Sequence, residues 1–221
     1  MKNLISELKK MGIPVEVMEV KPKGELIEGE RLKEILNETI TPFLSPLGLQ
    51  WRGDYHWVGE SNNSIRKVFS YDLCKGGQGT FSWGICTDFI PLPSGSRLVN
   101  SRTFKSAKLQ LFERAECTTS HWEDDDIKGT IIKTLQDEIK KIECWFNRVN
   151  TIEDIRKIAY EQLKDDKYCM HHPNQNYILA FIEAKLGNID IGLELIEKCD
   201  SLSFNKKESI KQLVIKKIKD N

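Results

Sequence analysis

The chain has 221 residues, 39% of them hydrophobic and 30% charged, which supplies a sizeable core and excludes global disorder. Lysine plus arginine number 33, as do aspartate plus glutamate, so the formal net charge is zero. A neutral chain has no overall field to draw in nucleic acid, which is not expected as a partner, while self-association into a homo-oligomer stays open.

The first twenty residues, MKNLISELKKMGIPVEVMEV, break their apolar content with Glu7, Lys9 and Lys10. Neither a signal peptide nor a membrane span fits that pattern, so a cytoplasmic protein without a membrane partner is expected. Cys74, Cys86, Cys117, Cys144, Cys169 and Cys199 stand singly with no CxxC. That is the spacing of buried thiols in a reducing compartment, not of a disulfide frame or zinc site.

In chain order, residues 3–11 read as a short helix stopped by GIP, and VEVMEV at 15–20 alternates like a strand. KPKGE at 21–25 is a break. From Glu30, the residues Leu32, Ile35, Leu36, Ile40, Phe43 and Leu44 recur at helical spacing, and Pro46 and Gly48 close that helix. Four segments with strand periodicity follow. In LQWRGDYHWV (49–58), Leu49, Trp51, Tyr55 and Trp57 share one parity against Arg52, Asp54 and His56. In IRKVFSYDL (65–73), Ile65, Phe69, Tyr71 and Leu73 oppose Arg66, Ser70 and Asp72. In FSWGICTDF (81–89), Phe81, Trp83, Ile85 and Phe89 oppose Ser82, Cys86 and Asp88. AKLQLFER (107–114) sets Ala107, Leu109 and Leu111 on one face, and PLPSGS (91–96) reads as a loop. Such alternation predicts an antiparallel sheet with one buried, aromatic-rich face.

Further on, Ile127, Ile131, Leu135, Ile139, Ile142 and Phe146 step by three or four, giving a long amphipathic helix to cover that face. Past NRVN the pattern is wholly helical, at roughly 152–165, 174–187, 189–200 and 205–219. The expected fold class is α+β: an antiparallel sheet covered on one face by helices (1–150), then a C-terminal all-helical annex (151–221).

The order of a helix, aromatic strands, HW plus acids, a long helix ending in CWF, and NTIEDIRKIA resembles the bacterial proteins classed as domain of unknown function 4304, over about residues 30–165. The resemblance implies an α+β domain and an association with toxin–immunity or defence loci, and it carries no catalytic residue. YILAFIEAKLGNIDIGLELIEKC (177–199) resembles part of a tetratricopeptide repeat, with Gly192 as the small residue of its second helix. A single copy reads as a helical hairpin.

Several stretches carry the residue types of chemistry. In TTSHWEDDDIKG (118–129), helical periodicity starts directly after the acids, so Asp124 or Asp125 is expected to cap the helix and the other acids to favour its positive end. The run lacks the alternating ligands and glycine of a calcium loop, and only His121 lies near for zinc. In CMHHPNQN, Cys169, His171 and His172 could contribute to a metal site with Cys199 or His121, but adjacent histidines before Pro173 read as the approach to a helix. KGGQGT (75–80) lies between strands and is a turn, not a phosphate loop. No GxSxG or cysteine signature marks a nucleophile. The lysines of 205–221 fit a solvated helix face.

The polar face of the sheet remains. Arg52, Asp54, His56, Arg66, Ser70, Asp72, Ser82, Cys86, Asp88 and Gln110 are expected to line an exposed wall. Arg52, His56, Asp72 and Asp88 are its candidate binding residues. The leading reading is a non-catalytic protein that binds another protein through the sheet face and the helical annex, with no metal or cofactor. The alternative is an enzyme using the carboxylates and histidine of this face, acting on nucleic acid. Convergence of His56, Asp72 and Asp88 in one pocket would separate the two.

Overall fold

The computed structural model describes residues 24–115, 119–168 and 173–220. The helix and strand expected within 3–20, and Cys117, Cys169, His171 and His172, lie outside the described residues. The first described helix, α1 (Gly29–Leu44), buries Leu32, Leu36, Ile40 and Leu44 on one face. It ends in a 3-10 turn, Ser45–Leu47, whose cap Gly48 takes φ 78°, a left-handed position that suits glycine.

The sheet is antiparallel and follows the chain: β1 (Leu49–Trp51), β2 (His56–Asn62), β3 (Ile65–Cys74) and β4 (Gln78–Thr87). The expected strand 49–58 is thus two strands, broken at Arg52–Tyr55, where Gly53 adopts φ 91° and the Trp51 indole donates to Asp54 O (2.7 Å). PLPSGS is not a loop but half of a separate hairpin, β5 (Pro91–Ser94) with β6 (Arg97–Asn100), turning at Gly95. The expected strand 107–114 is regular only over β7 (Leu111–Arg114). β7 and β8 (Thr119–Ser120) pair with successive stretches of β4.

Parity places the aromatic side chains together. Trp57, Phe69 and Trp83 stand in register across β2, β3 and β4, and ring pairs Trp57–Phe69 and Phe69–Phe81 lie 5.8 and 5.5 Å apart. α1 and α2 (Ile127–Asn147) cover this face, α2 contributing Ile131, Leu135, Ile142 and Phe146. The remaining helices, α3 (Ile152–Leu163), α4 (Gln175–Lys185), α5 (Ile189–Glu197) and α6 (Glu208–Lys219), form the helical annex. A capping box of Thr151 and Asp154 starts it. One apolar cluster nevertheless runs from Ile27 through Trp57 and Phe81 to Ile218, across position 150. Tyr177 OH donates to Pro91 O (2.7 Å) and Gln162 Nε2 to Phe112 O (3.1 Å), tying α4 to the β5–β6 hairpin and α3 to β7. α4 and α5 are the hairpin expected at 177–199. A Cβ on Gly192 would come within 2.8 Å of Ala180 O, so the small residue permits that close approach. No described helix is long and apolar enough to cross a membrane.

The acid run folds differently from expectation. The cap of α2 is Asp126, whose Oδ1 accepts from Gly129 N at 2.9 Å, and not Asp124 or Asp125. Asp125 instead accepts from the Ser120 hydroxyl, and Glu123 pairs with Arg31 at 2.7 Å. The helix begins one residue later than a cap at Asp125 requires, because Asp125 is held back on β8. His121 is buried, its ring nitrogens 3.2 and 3.0 Å from Ile27 O and Gln78 O.

Candidate functional site

The second face of the sheet is not an open wall. Val58 and Val68 share the parity of its polar residues, and with Cys86 and Ala107 they form a second small apolar cluster. Phe104 and Leu109 close over it, so segment 101–110 lies as a strap across the face. Arg66, Ser70, Ser82, Cys86 and Gln110, expected to be exposed, are buried beneath or beside the strap. The sheet fastens it from below. Arg66 donates through Nη1 to Gly59 O (3.2 Å) and through Nη2 to Arg102 O (3.3 Å), while Arg52 Nη1 donates to Ala107 O (2.5 Å). The Gln110 amide donates to Ile90 O (2.9 Å), and its oxygen accepts from Thr87 N (2.6 Å). Burial raises the Cys86 thiol above its ordinary range, which leaves it protonated and inert.

At one end of the strap the face opens into a depression of about 260 Å³, lined by Arg52, His56, Ser70, Asp72, Lys108, Leu109, Phe112 and Arg114. Three of the four candidate residues therefore meet. The fourth, Asp88, lies elsewhere: its carboxylate accepts from Ser61 Oγ (3.1 Å) and its backbone amide bonds Ser64 O. The kink at Arg52–Tyr55 organises the depression. Asp54 takes both Arg52 Nε (3.0 Å) and Nη2 (2.5 Å), and also accepts from His56 N (3.0 Å). His56 Nδ1 lies 3.2 Å from Asp54 Oδ1. Burial would raise the Asp54 carboxyl, but the Arg52 hydrogen bonds and the neighbouring positive charge outweigh it and hold it below the usual range. Burial and then the Arg52 charge lower the His56 imidazole, against the opposing pull of Asp54. At neutral pH it is an uncharged ring, and Nε2 is its remaining acceptor when Nδ1 donates to Asp54.

Asp72 is held from three sides, by Ser70 Oγ (2.7 Å), Ser82 Oγ (2.6 Å) and Arg114 Nη2 (3.2 Å). Both serine hydroxyls therefore point to a carboxylate and neither to the imidazole, so no serine–histidine pair is assembled. Among the described residues, no group of three His, Cys, Asp or Glu side chains is placed to hold a metal. Sequence parity found Arg52, His56 and Asp72 but missed Lys108 and Arg114, the most exposed cations of the depression. Arg114 is legible from its place at the end of β7. Lys108 is not, because it sits on the irregular strap. Comparison with protein-family models, curated proteins and solved structures gave no match.

Proposed function

We propose that this chain is a non-catalytic, cytoplasmic protein-binding protein that meets another protein with the strapped polar face, centred on the depression. The toxin–immunity or defence setting implied by the family resemblance belongs to the same proposal. The observation that carries it is the hydrogen bonding of the site. Arg52 is locked to Asp54, and Ser70 and Ser82 are locked to Asp72, leaving a pre-organised surface of mixed charge with no activated hydroxyl. At about 260 Å³ the depression is below the range of about 300–1,000 Å³ usual for small-molecule pockets, and it suits one side chain of a partner. Fixed charge of both signs selects partners and speeds encounter. A second reading, an enzyme, rests on the Asp54–His56 contact, which orients the imidazole as in a general base.

The test replaces Lys108→Glu and Arg114→Gln together: Lys108 faces solvent, and glutamine removes the half-exposed Arg114 charge without setting a second acid beside Asp72. Capture from the native host should recover a specific partner with the wild type and markedly less with the double variant at unchanged thermal midpoint. Equal recovery of the same proteins would overturn the reading. Intact capture with His56→Gln would weigh against the enzyme, as binding needs no base.

A further inference from the structure

We infer that the strap docks an acidic segment of the partner protein, an inference that rests on the polar face being the contact surface. The strap and the β5–β6 hairpin before it, residues 89–110, contain Arg97, Arg102, Lys105 and Lys108 and no acid, in a chain whose charges balance overall. All four are exposed. None lies within ion-pair distance of a carboxylate among the described residues. Arg114 extends the row at the edge of the depression, its side chain 52% exposed even while it touches Asp72.

The strap's rigidity separates these cations from an ordinary wet surface. Arg66 and Arg52 pin the carbonyls of Arg102 and Ala107, Cys86 Sγ lies 3.3 Å from Ser101 O, and Phe104 and Leu109 are packed on the valines below. The backbone that carries Arg102, Lys105 and Lys108 is thus fixed before any partner arrives, which lowers the ordering cost of binding. On α6 the arrangement differs: Lys211 is already paired with Glu197 at 2.7 Å, and the helix is held through Ile210, Val214 and Ile218.

An acidic polypeptide fits this surface better than a nucleic acid. Asp72 stands inside the depression and Glu60 and Asp88 near the far end of the strap, so a continuous phosphate backbone would meet carboxylates that a spaced set of acidic side chains can avoid. Of the aromatics there, Phe112 is buried and Phe104 is half-buried in the strap's own packing, which leaves no free ring for bases to stack on.

The experiment measures fluorescence anisotropy of a labelled oligoglutamate peptide titrated with the full chain at low salt. Binding should weaken at least about tenfold in Arg102→Glu/Lys105→Glu/Lys108→Glu and stay unchanged in Lys216→Glu/Lys219→Glu, and it should fade as salt rises. The triple glutamine variant, with the same backbone and no reversed charge, should lose part of the affinity. It also keeps the test valid if charge reversal disturbs folding. Absence of binding, equal binding by wild type and strap variants, or tighter binding of single-stranded DNA of matched charge would overturn the inference. If oligoglutamate ignores the strap while partner capture still depends on Lys108 and Arg114, the acidic segment falls and the contact face stands.

Discussion

Asp126 holds the open end of α2 through Gly129 N, and Gly129 is what makes room for it, because a Cβ there would overlap the Asp126 carboxylate. Asp126→Ala should cost about 1 kcal/mol, while Asp124→Ala should change stability by less than about 0.5 kcal/mol. Gly129→Ala, normally a gain of about 1 kcal/mol inside a helix, should give none. Urea midpoints decide all three, and a larger loss at Asp124 than at Asp126 would refute the assignment. His56 makes a different prediction. Its folded pKa is depressed, so the unfolded chain takes up a proton first as pH falls below about 6.5, and stability drops through that window toward the folded value. His56→Gln should flatten the stability profile between about pH 7.5 and about pH 5.5 relative to wild type. An unchanged slope would show that His56 is not the group responsible.

Between elements, polar pairs fix what apolar packing leaves free to slide. Glu183 of α4 is completely buried at its side chain, and it accepts from Arg156 Nε (2.6 Å) and Tyr160 OH (2.8 Å) of α3 and from Asn188 Nδ2 (2.8 Å). Burial alone would raise its carboxyl, but these donors outweigh burial and hold it below the usual range. Removing the two partners should therefore be unequal. Arg156→Ala leaves a buried carboxylate with only neutral donors and should cost roughly 2 kcal/mol or more. Glu183→Gln leaves an arginine that is 39% exposed and can turn to water, at about 1 kcal/mol. Thermal unfolding of the two variants checks the order, and a costlier Glu183→Gln would contradict it. The strap depends on the same kind of fastening, with buried Arg66 and Gln110 bonded to main-chain groups.

Across the molecule, the α+β architecture was legible because one parity of β2, β3 and β4 carries nearly all the aromatic residues and the helices keep their period. The candidate site was half legible. Alternation placed Arg52, His56 and Asp72 on one face, but it assumed that polar neighbours mean solvent. Val58 and Val68, apolar residues on the polar parity, were the available sign that something covers that face. The cover is an irregular segment, whose course depends on distant carbonyl contacts that no local period encodes. Asp88 shares the parity yet sits past the end of β4, where the chain turns toward the β5–β6 hairpin. Parity reports a face and not a position along it. The net charge misled in the same way, since zero overall conceals an acid-free basic strap and an acidic run at the start of α2. The most direct measurement of the contact surface is hydrogen exchange of the chain with and without its captured partner. The strap reading predicts slowed exchange over residues 101–114 and at the His56 and Asp72 ends of β2 and β3. Slowing confined to 152–220, with 101–114 unchanged, would move the binding surface to the helical annex.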